Sequence, residues 1–250
     1  MTRFESSRNL EGLMLEELEQ QYPTADSLQQ HFEELYGARD RLYLDERYER
    51  IRLFETGVAD LFDALRREPT PDALNIPFAR VVARIFSIAN SIDGVRAGEG
   101  MMMKFPLGGC AYCHQQPCMC TAFRGEPTLG TSFDTEQSNW NLRTWQQHLN
   151  SLYGPANAQK GIWFVTTRLA VETNELVAEE DKVRISAPND IRRNYALEVA
   201  DTMAWTMAAA SLLDVDLQTA TLLRFGSGCP SCRLNPCQCS RHNFEPVKFE

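Results

Sequence analysis

A chain of 250 residues, 43% hydrophobic and 24% charged, has ordinary globular composition and length enough for two compact domains of about 100–130 residues each. Its net charge of −9 argues against broad attraction to nucleic acid or to an anionic membrane surface. No apolar run approaches the roughly 18–20 residues of a membrane span, and Met1-Thr-Arg-Phe-Glu-Ser-Ser7 lacks the apolar core of a signal peptide, so a cytoplasmic protein is expected.

In chain order, helical spacing dominates. Residues 4–21 read as a helix, with Leu10, Leu13, Met14 and Leu18 on one stripe, before Pro23 and Asp26-Ser27 interrupt and cap. A second helix runs from Leu28 to near Gly37, with Leu28, Phe32 and Leu35 on one face. Residues 42–67 carry a long helical pattern that Glu68-Pro-Thr-Pro71 breaks. Residues 77–93 form another helix, bearing Val81, Ala83, Ile85, Phe86, Ile88 and Ala89. Residues 121–143, polar and marked by Arg124-Gly-Glu-Pro-Thr-Leu-Gly130, read as a linker or irregular surface loop. Two further helices are expected over 160–180 and 190–213, and no strand ladder is visible. The fold class is therefore all-α.

The eight cysteines fall in two clusters, Cys110, Cys113, Cys118 and Cys120, then Cys229, Cys232, Cys237 and Cys239. Both read C-x2-C-x4-C-x-C, with Pro before the third cysteine, and the second follows the first by 119 residues at every cysteine. A fixed offset marks a duplicated unit. Other echoes recur at 117 residues: Gln29-Gln-His31 with Gln146-Gln-His148, Leu35-Tyr-Gly37 with Leu152-Tyr-Gly154, and Glu55-Thr56 with Glu172-Thr173. Lys104-Phe105 before the first cluster echoes Arg224-Phe225 before the second. The division is 1–120, a linker over 121–143, and 144–250, each half closed by its cluster. Four thiols in eleven residues suit a closed tetrahedral metal site with a structural role, Zn²⁺ first and iron as the alternative. His114 or His242 can replace one thiolate, and ligands can be shared between clusters.

The second half also carries paired carboxylates. Glu172 and Glu175 are three residues apart on one expected helix, and Glu198 and Asp201 on the next, so each pair shares a face. Apolar neighbours, Val171, Leu176 and Val177 on one helix and Leu197, Val199, Met203 and Trp205 on the other, turn at least part of these faces toward the partner helix. Like charges about 4 Å apart repel by roughly 4 kcal/mol per pair at an effective dielectric near 20, and a hard divalent cation would offset this. Spacing alone equally suits a solvated helix face.

Glu172-x2-Glu175, 22 intervening residues, then Glu198-x2-Asp201 resembles the signature of the MazG-like, all-α nucleoside triphosphate pyrophosphohydrolases. Leu197-Glu-Val-Ala-Asp201-Thr-Met-Ala-Trp205 and the turn through Leu217 resemble the family's second motif helix, and Leu223 to Cys232 a subgroup with a C-terminal cysteine cluster. The resemblance covers about 144–240, and reaches 27–120 only through the internal repeat. It implies Mg²⁺-dependent hydrolysis of a nucleoside triphosphate to the monophosphate and pyrophosphate, with Glu172, Glu175, Glu198 and Asp201 as metal ligands and catalytic carboxylates. The sequence does not say which carboxylate handles the attacking water. Glu179 is either an outer ligand or a solvated helix-end residue.

The first half departs from this pattern. At the 117 offset Glu172 maps to Glu55, but Glu175 maps to Val58, Glu198 to Val81 and Asp201 to Arg84. No catalytic Mg²⁺ is expected there; the first half would instead pack against the second as a pseudo-dimer partner. Arg84 either reaches substrate phosphates or is a surface residue or Glu55 partner. Trp145, Trp163 and Trp205 are core residues or base-stacking candidates, and Lys160, Lys182, Arg192 and Arg193 are solvated ends or phosphate ligands. The rival reading is a catalytically retired, zinc-stabilised scaffold that binds a protein partner. A nucleic-acid-binding zinc module is disfavoured by the charge and by the lack of a basic run at the clusters. The family often assembles further, so a homodimer is also expected.

Overall fold

Helix starts follow local side-chain chemistry. In this computed structural model, which describes residues 3–42, 47–67, 69–120, 127–130, 135–185 and 189–239, the helices are α1 (Arg3–Gln21), α2 (Ala25–Leu42), α3 (Arg47–Arg67), α4 (Pro71–Ala89), α5 (Ala97–Lys104), α6 (Leu142–Lys160), α7 (Ile162–Ile185), α8 (Asn189–Leu212) and α9 (Leu217–Phe225). Thr24 Oγ1 accepts from the Ser27 N–H at 3.0 Å, Asn141 Oδ1 from Thr144 at 3.0 Å and Asp216 Oδ1 from Thr219 at 2.9 Å. Each satisfies an N–H that the first helical turn leaves unpaired. The described residues are all-helical, without strands, and none of their helices is long and apolar enough to cross a membrane.

Several boundaries differ from expectation. α2 begins at Ala25 and runs on to Leu42, past Gly37. α4 begins six residues early, because Thr70 caps it and Pro71 enters its first turn, where no N–H is needed. The Pro that closes one helix opens the next. α5 and α9 form where only a lead-in and a turn were read, and Gln137–Asn139 is a 3-10 turn inside the expected linker. Parts of that linker (121–126 and 131–134), residues 43–46, Glu68 and His242 lie outside the described residues.

The packing crosses the two halves. α3 pairs with α4 and α7 with α8, α4 also touches α8, and the short helices exchange: α5 packs on α8 and α9 on α4. Gly100 permits the close approach of α5, since a Cβ there would stand 2.1 Å from the Ala196 carbonyl oxygen. Polar contacts cross as well. His31 Nε2 donates to the Phe225 carbonyl at 2.9 Å, and the His148 ring bonds the Phe105 carbonyl. The Cys237 N–H donates to the Leu35 carbonyl and the Cys118 N–H to the Leu152 carbonyl, both at 2.8 Å. Burial lowers the pKa of both histidines, which favours neutral rings.

A single hydrophobic core results. Phe32 of α2 lies 5.7 Å from Phe86 of α4 and 5.3 Å from Phe225 of α9 between ring centroids, and all three are buried. Phe32→Ala should cost about 3–5 kcal/mol. None of the four tryptophans lies in the first half: Trp140 is in the linker, and Trp145, Trp163 and Trp205 are in the second half. Tryptophan fluorescence and far-UV circular dichroism should therefore lose stability together in this first-half variant; a fluorescence transition left at the wild-type position would show two independent cores.

Candidate active site

The α7–α8 pair brings the acidic residues together. Carboxylate oxygens of Glu172, Glu175 and Glu198 all lie within 4.8 Å of one another. Asp201 lies beside them, ion-paired to Lys104 of α5, while Arg168 pairs with Glu172 one turn away on α7. Thr202 locks the two helices here: its Oγ1 lies 2.9 Å from the Glu198 carbonyl and 3.3 Å from that of Glu172. Glu172 is buried, Glu198 partly buried and Glu175 exposed, so the pairs span the edge of the core.

This position disfavours charge. Burial first, then the Asp201 and Glu175 charges, pushes Glu172 up to about 7. Burial and the Asp201 charge push Glu198 up to about 7 as well, with Lys104 opposing. Burial raises Asp201 too, again against Lys104. Glu198 Oε2 is buried without a hydrogen-bond partner among the described residues. An all-oxygen donor set with an orphaned buried oxygen and protons held near neutral pH fits a hard divalent cation.

The carboxylates form one wall of a cavity of about 530 Å³. Lys104, Lys160 and Arg168 supply cationic groups to it, and Tyr112, Tyr153 and Trp205 supply aromatic surface. Arg168 stacks over the Trp205 ring, with Cζ 5.6 Å from the centroid. Of the tryptophans weighed from sequence, Trp205 faces the cavity, Trp145 is buried in the core and Trp163 is exposed. Lys160 reaches the cavity; Lys182 pairs with Glu179, and Arg192 and Arg193 are exposed. Glu179 contributes a charge that raises Glu198. Sequence reasoning missed Arg168, Lys104, Tyr112 and Tyr153 as site residues. Arg168 carried a legible signal, four residues before Glu172. Lys104 and Tyr112 carried none, because they arrive from the other half.

Each cysteine cluster closes on its own four thiols. Sγ separations are 3.9 Å for Cys110–Cys120 and Cys113–Cys118, 3.7 Å for Cys229–Cys239 and 4.0 Å for Cys232–Cys237. A tetrahedron of Zn–S bonds of about 2.3 Å has sulfurs about 3.8 Å apart, so both clusters have the dimensions to hold a metal such as zinc. Gly109 and Gly228, at φ +108° and +120°, make the matching turns before Cys110 and Cys229. Backbone N–H donors, Met119 and Gln115 at Cys113, Gln238 and Leu234 at Cys232, lower both thiols to about 6, favouring the ligating thiolate. Cys110, Cys118 and Cys120 also line the carboxylate cavity.

Three measurements follow from these geometries. Binding of Mg²⁺ or Mn²⁺ must displace protons from Glu172 and Glu198, so affinity by calorimetry should fall about tenfold or more from pH 8 to pH 6. Without metal, the folded chain holds protons between about pH 4.5 and 7 that the unfolded chain releases. Stability from these groups therefore falls as pH rises through that window, and Glu198→Gln should flatten its share of the slope in thermal unfolding. Mercurial titration should release two thiolate-bound metal ions per chain, and Cys113→Ser should reduce this to one.

Comparison of the chain with protein-family models, curated proteins and solved structures finds no match.

Proposed function

We propose that the chain is a Mg²⁺-dependent nucleotide pyrophosphohydrolase of MazG-like type, with its active site in the second half. The observation that supports this most is the meeting of Glu172, Glu175 and Glu198 within 4.8 Å, beside Asp201, on the wall of a cavity that also presents cations and aromatic rings. The cavity volume of about 530 Å³ is in the range of small-molecule sites, about 300–1,000 Å³. In this reading the two halves form a pseudo-dimer of repeats. The crossed contacts of His31 with Phe225 and of His148 with Phe105, together with the exchange of α5 and α9, support that reading.

Glu172, Glu175, Glu198 and Asp201 would hold the divalent ion. When bound, the ion supplies Lewis-acid polarisation of phosphoryl oxygen and lowers the pKa of bound water. The residues of the chain do the rest. Lys104, Lys160 and Arg168 face the anionic triphosphate, and Trp205 offers a ring face for the base. Hydrolysis adds the oxygen of a water to the α-phosphorus, breaks the bond to the α–β bridging oxygen and releases pyrophosphate. The proton from that water goes to one of the four carboxylates. The zinc loop at Cys110–Cys120 walls the cavity, so its role here is positional.

The test is pyrophosphate release from canonical and modified nucleoside triphosphates with Mg²⁺. Glu175→Gln and Asp201→Asn should each lower the rate by at least about 100-fold with helicity intact. No release from any nucleotide by well-folded, zinc-replete protein would leave the scaffold reading standing.

A further inference from the structure

A second cavity, of about 190 Å³, lies where α4, α9 and the second cysteine loop meet α2 and α3. It is the counterpart of the first: Tyr36 stands beside Cys229 here as Tyr153 stands beside Cys110 there. Its charge is inverted. At the position 117 residues before Asp201 the wall carries Arg84, and at the position 120 residues after Lys104 it carries Arg224. The first cavity sets a lysine against an aspartate; the second has an arginine on its wall at each of these two positions. Arg39, Arg52 and Arg80 complete five guanidinium groups on the wall, with Asp60 as the carboxylate among the lining residues.

Arg39, Arg52 and Arg80 are engaged in other interactions. Arg39 is held by Asp40 at 2.6 Å and stacks over the Tyr36 ring at 4.2 Å, and Arg80 lies 3.8 Å from Asp60. Neither Arg84 nor Arg224 has an ion-pair partner among the described residues, and Arg224 Nε is buried without a hydrogen-bond partner there. Burial first, then the Arg39 charge, lowers Arg84 to about 10, and burial with the Arg80 charge lowers Arg224. Asp40 pairs with Arg39 and Asp60 lies by Arg80, so these carboxylates are engaged with other arginines of the wall. Partly buried cations of one sign, one of them with a buried orphaned donor, call for an anion rich in acceptor oxygens, and planar guanidinium forks match phosphate in geometry.

We propose that this second cavity is a phosphate-binding site that takes a pyrophosphate group through Arg84 and Arg224, without a metal ion and apart from the carboxylate cavity. Its volume, roughly a third of the first cavity's, suits a diphosphate group rather than a whole nucleotide. That group comes either as free pyrophosphate or as the tail of a nucleotide whose base stays outside. The duplicated scaffold thus holds one cavity arranged for a cation and one for an anion. The assignment does not depend on the chain being a hydrolase.

The experiment is calorimetric titration of the full, zinc-loaded chain with sodium pyrophosphate in EDTA-free buffer lacking divalent salts, at constant ionic strength, beside Arg84→Gln, Arg224→Gln and Arg168→Gln. Saturable binding by the wild type is expected, at least about tenfold weaker in Arg84→Gln and Arg224→Gln and unchanged in Arg168→Gln, which alters the other cavity. A non-hydrolysable nucleoside triphosphate analogue binding tighter than pyrophosphate assigns the group to a nucleotide tail; equal or weaker binding assigns it to the free anion. Because Arg84→Gln removes one of several like charges, its melting temperature in phosphate-free buffer should equal or exceed that of the wild type. The proposal is overturned by absent or non-saturable wild-type binding, by equal binding in the Arg84 and Arg224 variants, or by loss in Arg168→Gln. It is equally overturned if Arg84→Gln only lowers the melting temperature and leaves affinity unchanged.

Discussion

The exchange of short helices between the halves is the contact on which the rest of the structure depends. α5 lies on α8 and α9 on α4, so each half finishes its packing on the other. The core runs through Phe32, Phe86 and Phe225 without a break between halves. The same exchange delivers Lys104 and the first cysteine loop to the α7–α8 carboxylates, and Arg224 and the second loop to α4. Neither cavity can be assembled by one half alone.

Electrostatics then separate the two cavities. Around Glu172 and Glu198, burial and mutual repulsion hold protons to near neutral pH, and Lys104 and Arg168 offset only part of the cost. Around Arg84 and Arg224 the excess charge is positive and the same burial weakens protonation. A low-dielectric wall makes each uncompensated charge expensive, which is why a counter-ion of the opposite sign is the simplest physical account of both. The loop of each thiol cluster reaches the opposite half by a backbone hydrogen bond, Cys118 to Leu152 and Cys237 to Leu35.

Much of this was legible beforehand, for reasons that lie in local chemistry. Cysteine spacing alone foretold two four-thiol groups, since a loop of eleven residues with matching glycine turns leaves the thiols little freedom. The i, i+3 spacing of Glu172 with Glu175 placed both on one face of α7. The break after residue 67 is where Glu68-Pro-Thr-Pro71 puts it, but the next helix starts at Pro71 rather than 77, because a capped first turn accepts proline. Arg84 was legible as the residue replacing a carboxylate, but its setting was not; it faces a second arginine-lined cavity rather than the carboxylates.

By itself the sequence determined the helical class, the two thiol groups and the acidic pairs, because each rests on periodicity or spacing within about thirty residues. Only the tertiary structure decided that Lys104 meets Asp201, that Tyr112 lines the acidic cavity, and that Arg224 joins Arg84. Those pairs stand about 97, 89 and 140 residues apart along the chain. No local pattern encodes such contacts: they follow from which apolar helix faces exclude water against each other, and that is settled by the whole core at once.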